Sequence, residues 1–242
     1  MDRIESQVPS MRMVSVSGAG HSGTTLLASM IGNHPEVHLI TYETGWFLNP
    51  LENYNLVSNQ LSKFKVENKS AHVIVEKTPR HVYHIDKISE VYPQTRFLVT
   101  IRNPFDLIAS LLTRHQNFDD ATNRVVSDLE AINAIKDRSD VLVVRYENLI
   151  DSPIQIIQSV CTHIGLVYSS KILEWHLDPP KWFGVYPLPT DGIGERAHVA
   201  NRAWQVQQPL FDGRGRWKRD LDSSQYEAAK AVLGKYVEQW GY

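Results

Sequence analysis

Short runs of apolar, mostly β-branched residues alternate along the chain with longer stretches in which apolar residues recur every three or four positions. The short runs predict β-strands and the longer recurrence predicts amphipathic helices. The predicted strands cover residues 13–16, 37–40, 72–76, 96–101 and 141–144. The predicted helices start near residues 24 and 104, cover 82–91, 119–136 and 223–240, and include one around residue 161. Because strands and helices alternate, we expect parallel βαβ units and therefore an α/β fold, a parallel sheet flanked by helices.

Two stretches interrupt this pattern. Residues 48–68 are polar and fit a helix with loops, whereas residues 169–215 are rich in proline, glycine and aromatic residues. A loop region of that length in a compact domain is more often functional than idle, so we expect it to cover a bound ligand, with a disordered insert as the alternative. Three tryptophans are candidates to stack on a sugar or an aromatic ring, with core packing as the alternative: Trp46, Trp175 and Trp182.

The composition is that of an ordinary globular protein of 242 residues, which fits a single domain with an N-terminal tail over residues 1–12. The formal net charge is −2, so we expect no general affinity for nucleic acid or for an anionic membrane. Cys161 is the only cysteine, which excludes an internal disulfide and a thiolate metal cluster, and its apolar surroundings predict a core residue. No secretory signal pattern and no run of about 18 apolar residues are visible, so we expect a cytoplasmic protein.

The stretch from Val14 to Leu27 predicts a phosphate-binding loop between a strand and a helix. Gly18, Gly20 and Gly23 allow backbone N–H groups to turn inward, and the helical pattern starts at about Thr24. The free N–H groups in the first turn of a helix and the positive end of its dipole favour phosphate or sulfate there. A glycine-rich turn without a ligand is the alternative.

The spacing of this loop nearly matches the ATP-binding pattern G-x-x-x-x-G-K-[ST], but Thr24 stands where that pattern has lysine. The lysine normally reaches the β- and γ-phosphates, and the next hydroxyl holds magnesium. A small-molecule kinase therefore remains only the second hypothesis.

The loop instead resembles the 5′-phosphosulfate loop of sulfotransferases, usually (Lys/Arg)-Ser-Gly-Thr-Thr, which grips the 5′-phosphate of 3′-phosphoadenosine-5′-phosphosulfate (PAPS). The resemblance implies that the nucleotide contacts are Gly20, His21, Ser22, Gly23, Thr24 and Thr25. The basic position of the family is occupied here by His21, which we expect to replace the usual cation and to assist the transfer.

Two further segments are similar to nucleotide-binding motifs of this family. Arg102 ends a predicted strand and Ser110 lies eight residues later in the next helix, which is the spacing of the 3′-phosphate motif. A salt-bridged arginine and a surface serine are the alternative. The segment from Gly213 to Lys218 resembles the basic, glycine-rich segment that folds over the nucleotide. Its implied ligands, among which the contacting cation stays open, are Arg214, Gly215, Arg216 and Lys218.

The stretch Glu76-Lys77-Thr78-Pro79-Arg80-His81 resembles a strand-end segment whose lysine points at the transferring sulfuryl group. Cytosolic sulfotransferases have Lys-Thr-His there and use the histidine as base, but the third place here is Pro79. Tyr42-Glu43-Thr44 resembles a glutamate-containing segment of tyrosylprotein-type and several bacterial sulfotransferases. We therefore expect Lys77 as the cation and Glu43 as the general base. The alternatives are a structural Glu43 that pairs with Arg80 or caps a helix, and rival bases at His81, His84 and His115.

Together these resemblances imply a PAPS-dependent sulfotransferase that modifies a hydroxyl or an amine and releases 3′-phosphoadenosine-5′-phosphate (PAP), without a metal. A small molecule or a carbohydrate is the expected acceptor rather than a protein. A nucleotide-binding relative that has lost turnover is a further alternative, because His21 replaces the usual Lys or Arg.

Overall fold

The computed structural model describes residues 12–48, 71–115, 117–182 and 203–242, and also positions 57, 59, 61 and 200. Nearly all of the predicted tail at 1–12, most of the polar stretch 48–68 and residues 183–199 of the irregular stretch lie outside the described residues. The side chain of His115 also lies outside them.

Parallel strands form one sheet in the described residues, as the alternating pattern predicts. The strands are β1 (Arg12–Gly18), β2 (Val37–Leu39), β3 (Val73–Lys77), β4 (Arg96–Ile101) and β5 (Val141–Arg145). Their order is β2-β3-β1-β4-β5, and every neighbouring pair is parallel. The order reverses direction at the central strand β1, and in open α/β sheets ligands bind at the carboxyl ends of the strands beside such a point.

Helices cover both faces of this sheet. They are α1 (Thr24–Gly32), α2 (Ile85–Val91), α3 (Pro104–His115), α4 (Phe118–Ile135), α5 (Tyr146–Asp151), α6 (Pro153–Ile164), α7 (Trp217–Asp220) and α8 (Ser223–Gln239). Helices α1 and α6 bury their apolar sides on one face, and α3, α4 and α8 on the other. Cys161 is buried in the hydrophobic core that α1 and α6 form with the sheet, as predicted. Among the described helices, none combines the length and apolar character needed to cross a bilayer.

Three details differ from the sequence-based expectations. The helix predicted over 82–91 starts only at Ile85, because residues Pro79–Tyr83 form a 3₁₀ turn and the backbone of His84 leaves the helical region. The short helix α5 was not predicted. The tryptophans proposed as stacking surfaces are core residues, with exposures of 3%, 2% and 0% for Trp46, Trp175 and Trp182. The stacking hypothesis for these side chains is therefore wrong.

Candidate functional site

The glycine-rich loop joins the end of β1 to the start of α1, and its shape is fixed by contacts with β4. Gly18 has φ 135°, and a Cβ there would collide with the carbonyl oxygen of Thr100. Ser22 is buried, and its hydroxyl donates to the Ala19 carbonyl at 2.6 Å and to the Thr100 carbonyl at 3.1 Å. His21 has φ 67°, a conformation rarely adopted outside glycine. The loop is thus held in a specific conformation before any ligand binds.

The first turn of α1 has the features of an anion site. Among the described residues, no side chain caps this helix N-terminus at Gly23, and its first turn contains no acidic residue. The N–H groups and the positive end of the helix dipole are therefore not neutralised by the helix's own side chains. Thr24 and Thr25, which follow directly, are buried beneath the loop.

The structure brings together two residues from separate sequence motifs. His21 Nδ1 lies 2.8 Å from Ser110 Oγ, which α3 presents to the loop. The residue at the basic position of the loop is therefore in hydrogen-bond contact with the serine of the arginine–serine motif, 89 positions later in the chain.

An aspartate that the sequence analysis did not single out forms a hydrogen bond with the backbone of the glycine-rich loop. Asp128 of α4 is fully buried and accepts the Gly20 N–H at 2.8 Å and the Arg124 Nε–H at 2.8 Å. Tyr83 donates its hydroxyl to the same carboxylate, and burial together with Asp128 raises the pKa of this tyrosine. A sequence signal existed, because Asp128 interrupts the apolar stripe of Val125 and Ile132 on the buried side of α4.

Arg102 lies immediately after β4 and is nearly buried. Its guanidinium stands 4.5 Å from the centre of the Tyr146 ring, donates to the Gly213 carbonyl and lies 3.5 Å from Asp106. Its Nε is buried and has no hydrogen-bond partner among the described residues. Buried polar groups are nearly always bonded, so this N–H is a candidate to meet a ligand.

Residues 211–217, which we call the covering segment, are bonded to helices α3 and α5 by two side chains that the sequence analysis missed. Asp106 accepts the N–H groups of Gly215 at 3.0 Å and Trp217 at 3.1 Å. The hydroxyl of Tyr146 donates to the Phe211 carbonyl and accepts the Gly213 N–H, each at 3.1 Å. Burial raises the pKa of Tyr146, which keeps this hydroxyl protonated.

The three cations predicted in this region differ in their surroundings. Arg214 pairs with Asp151 at 2.7 Å and with Asp212 at 2.8 Å, and the hydrogen bonds that Arg214 donates to Asp212 lower the pKa of Asp212. Arg216 pairs with Asp220. Lys218 lies 5.8 Å from the centre of the Trp217 ring, and the described residues place no carboxylate within ion-pair distance of it.

Glu43 and Lys77 meet at the end of β3. Lys77 Nζ lies 2.6 Å from Glu43 Oε1, and it stands 4.9 Å from the centre of the Trp182 ring. The lysine side chain is fully buried, whereas 36% of the glutamate side chain is exposed. Lys77 is opposite Val16 in the sheet register, two residues before the loop begins at Gly18. The ion pair is therefore adjacent to the glycine-rich loop, with its carboxylate partly exposed.

Glu76, the neighbour of Lys77, is fully buried and accepts bonds from three side chains: Ser15, Thr44 and His81. His81 is also fully buried, and its Nε2 accepts the Phe47 N–H at 3.3 Å. Because Nε2 is an acceptor, the ring proton resides on Nδ1 and is donated to Glu76. His81 as a rival base is therefore wrong, since both its nitrogens are bonded inside the fold.

His84 is the rival base that remains among the described side chains. Its pKa is lowered, chiefly by burial and further by the neighbouring His81 and Lys87. A lowered pKa keeps this imidazole neutral near pH 7.

The sequence of this chain is similar to one protein family and to individual sulfotransferase sequences. The family model described as "Sulfotransferase family" matches residues 47–170. A Caenorhabditis briggsae sequence assigned as a protein-tyrosine sulfotransferase is 24% identical over 194 residues, which cover 68% of this chain and 69% of that protein. The omega-hydroxy-beta-dihydromenaquinone-9 sulfotransferase Stf3 of Mycobacterium tuberculosis is 27% identical over 111 residues, which cover 38% of this chain and 29% of that protein.

Solved structures share the fold. Mouse sulfotransferase SULT7A1 in complex with PAP superposes with a TM-score of 0.56 at 13% identity, over 93% of this chain and 82% of that one. The sulfotransferase domain of the Synechococcus PCC 7002 olefin synthase gives a TM-score of 0.53 at 14% identity, over 91% and 93% of the two chains.

Proposed function

Since this chain belongs to the sulfotransferase family, we propose that it moves the sulfuryl group of PAPS to an acceptor hydroxyl or amine and releases PAP. The observation that carries the proposal is the contact between Lys77 and Glu43, 2.6 Å apart beside the glycine-rich loop. A buried cation and a half-exposed carboxylate at one strand end supply the charge stabilisation and the proton acceptor that such a transfer needs.

Two sets of described residues would bind the 5′-phosphate and the 3′-phosphate of PAPS. The uncapped first turn of α1, with Thr24 and Thr25, would hold the 5′-phosphate. Arg102, whose buried Nε lacks a partner among the described residues, would hold the 3′-phosphate with Ser110 and the covering segment. His21, bonded to Ser110, would lie between these two positions. Bound PAPS would supply an activated sulfuryl group.

Glu43 is the group that we propose as general base. Its carboxylate is partly exposed and can accept the proton that an acceptor hydroxyl loses, and Lys77 Nζ lies 2.6 Å from it. The ammonium of Lys77 is pre-placed, with its side chain fully buried, to stabilise negative charge that develops during the transfer. Neither role requires a metal or a covalent intermediate on the protein.

We propose a small molecule or a carbohydrate as acceptor. The relatives include a sulfotransferase named for omega-hydroxy-beta-dihydromenaquinone-9, which is a small molecule, and one named for protein tyrosine. The acceptor screen must therefore contain both classes.

The test has two stages. Calorimetric titration with PAP and with ATP, each with and without magnesium, should show tight binding of PAP that does not depend on magnesium. Incubation with PAPS and a panel of alcohols, phenols, sugars, amines and tyrosine peptides, followed by mass spectrometry, should then reveal a sulfated product. Binding of ATP alone, dependent on magnesium, would favour a kinase. Binding of PAP with no product across the panel would favour the inactive relative.

A further inference from the structure

The segment that carries Glu43 has no regular secondary structure of its own. Residues 43–47, which we call the base segment, follow β2 as an irregular stretch that enters a turn at Trp46. Gly45 adopts φ 60° within it. A segment outside helices and strands receives its position from individual contacts, so the direction of Glu43 depends on what the neighbouring residues bond to.

Besides the contact of Glu43 with Lys77, further hydrogen bonds tie the base segment to the end of β3, to Thr78 and to the turn Pro79–Tyr83. Thr44 Oγ1 donates to Glu76 Oε2 at 3.1 Å, and the Gly45 N–H donates to Thr78 Oγ1 at 3.2 Å. The Phe47 N–H donates to His81 Nε2 at 3.3 Å. The bond of Thr44 is the one nearest to Glu43 along the chain.

Glu76 and His81 are the buried centre of this arrangement. His81 Nδ1 lies 2.9 Å from Glu76 Oε1, and both side chains have no exposed surface. A buried carboxylate is costly unless hydrogen bonds compensate it, and Glu76 receives them from Thr44 on one oxygen and from His81 and Ser15 on the other. Apolar side chains in the positions of Glu76 and His81 would therefore cost less free energy to bury than this polar pair does.

Neighbouring residues of a strand project to opposite faces, so Glu76 and Lys77 act on different sides of β3. Lys77 contacts the Glu43 side chain, while Glu76 and His81 contact the backbone and side chains that follow it. We propose that Glu76 and His81 are positioning residues that hold the base segment through Thr44 and Phe47 and so direct Glu43 at the reaction. This inference rests on the proposed role of Glu43.

Two hydroxyl deletions provide a matched test. Thr44→Val and Ser15→Ala each remove one hydroxyl donor from the same buried carboxylate, but only Thr44 belongs to the base segment. The readouts are sulfate released from radiolabelled PAPS with water as acceptor, PAP affinity by calorimetry, and thermal unfolding. We expect Thr44→Val to lower kcat roughly 10- to 100-fold with PAP affinity unchanged, because small misplacements of a reacting group are costly. Ser15→Ala should lower kcat much less, and Thr44→Ser, which keeps the hydroxyl, should have a kcat near that of the wild type.

Coupling to Glu43 separates positioning from general destabilisation. In a Glu43→Gln background, Thr44→Val should cause no further loss, because a residue that acts only through Glu43 has nothing left to act on. An equal proportional loss in both backgrounds, or equal losses for Thr44→Val and Ser15→Ala, would overturn the inference. So would a wild-type rate for Thr44→Val while Glu43→Gln is slow, and that result would leave the proposed function intact. A wild-type rate for Glu43→Gln itself would remove the base assignment and this inference together.

Discussion

The two ends of the parallel strands carry their charged residues in different environments. At the carboxyl ends, charges are buried. Among the described residues, the buried acids, lysines and arginines are Glu76, Lys77, Arg102, Asp106 and Asp128. The first three lie at or directly after the ends of β3 and β4, and the two aspartates bond the covering segment and the glycine-rich loop.

At the amino ends, charges are exposed and pair with one another. A surface cavity of about 650 Å³ opens there and is lined by Arg12, Arg96 and Arg138, among others. Arg138 bonds Asp140 and Asp86, with side-chain exposures of 30%, 21% and 79%, and Arg12 donates to the Gly165 carbonyl. These cations already have partners within the fold and lie next to water.

From this difference we infer that the carboxyl ends of the strands, where the charges are buried, are the end of the sheet that serves the proposed transfer. Burying a charge is costly, whereas exposed ion pairs cost little and contribute little. The proposed reaction explains five buried charges at or beside one end of the sheet better than stability alone does, because perturbed ionisable groups concentrate at functional sites. The predictions below compare equivalent changes at the two ends.

The largest effect on turnover should come from Glu43→Gln. The matched control is Glu36→Gln, because Glu36 lies directly before β2, at the amino end of the sheet. The amide keeps the shape of Glu43 but cannot accept a proton, so turnover should fall about 10²–10⁴-fold. PAP affinity measured by calorimetry should stay nearly unchanged, and Glu36→Gln should change neither quantity. Near-normal turnover of Glu43→Gln, with chemistry shown to be rate-limiting, would transfer the base role to His84 or His115.

The second comparison uses the two ends of β4. Arg102→Ala should weaken PAP binding roughly 10- to 100-fold, because charged hydrogen bonds to one phosphate are lost. Binding of adenosine 5′-phosphosulfate, which lacks the 3′-phosphate, should weaken far less. Arg96→Ala, at the start of the same strand, should leave both affinities unchanged. Equal weakening of both nucleotides by Arg102→Ala would contradict the 3′-phosphate assignment.

The third comparison concerns two aspartates in the first turns of their helices, Asp106 in α3 and Asp86 in α2. Asp106→Asn leaves one N–H of the covering segment facing an amide, which should cost about 1–3 kcal/mol. For a chain of this size the midpoint of thermal unfolding should fall by roughly 2–4 °C per kcal/mol. PAP should also dissociate faster in stopped-flow measurements, because the covering segment is released. Asp86→Asn should shift the midpoint less and leave the dissociation rate unchanged, and equal shifts would contradict the comparison.

The strand order along the chain and the glycine-rich loop could be predicted because their signals are local. Apolar runs identify the strands, and the glycines with the following Thr24 identify the turn into α1 within about ten residues of sequence. That Glu43 and Lys77 lie near each other is predictable for a similar reason, because Glu43 follows β2 and Lys77 ends β3, and the carboxyl ends of these two strands lie at the same edge of the sheet.

The supporting contacts could not be predicted because each joins distant parts of the chain. Asp106 and Gly215 are 109 positions apart, and Gly20 and Asp128 are 108 apart. No periodicity relates such partners, since only the packing of α3 and α4 beside the loop brings them together. The stacking role predicted for the tryptophans is wrong because it relied on residue type alone. The tertiary fold, which residue type does not reveal, decides that Trp182 is buried.

The smallest effect should come from Arg138→Gln at the amino end. The guanidinium bonds both oxygens of Asp140, at 2.9 and 2.7 Å, and these bonds hold the pKa of Asp140 below its ordinary value. The folded state therefore binds this proton less readily than the unfolded state, so the pair stabilises the protein above the ordinary Asp pKa of about 3.9 and loses that contribution as pH falls further. Urea unfolding near pH 7 should show Arg138→Gln less stable by about 1 kcal/mol or less, since the pair is solvent-screened. The difference from wild type should shrink at high salt and below about pH 4, with PAP affinity and turnover unchanged. A loss of turnover in this variant would show that charges at the amino end also serve the reaction, and the contrast between the two ends of the sheet would then fail.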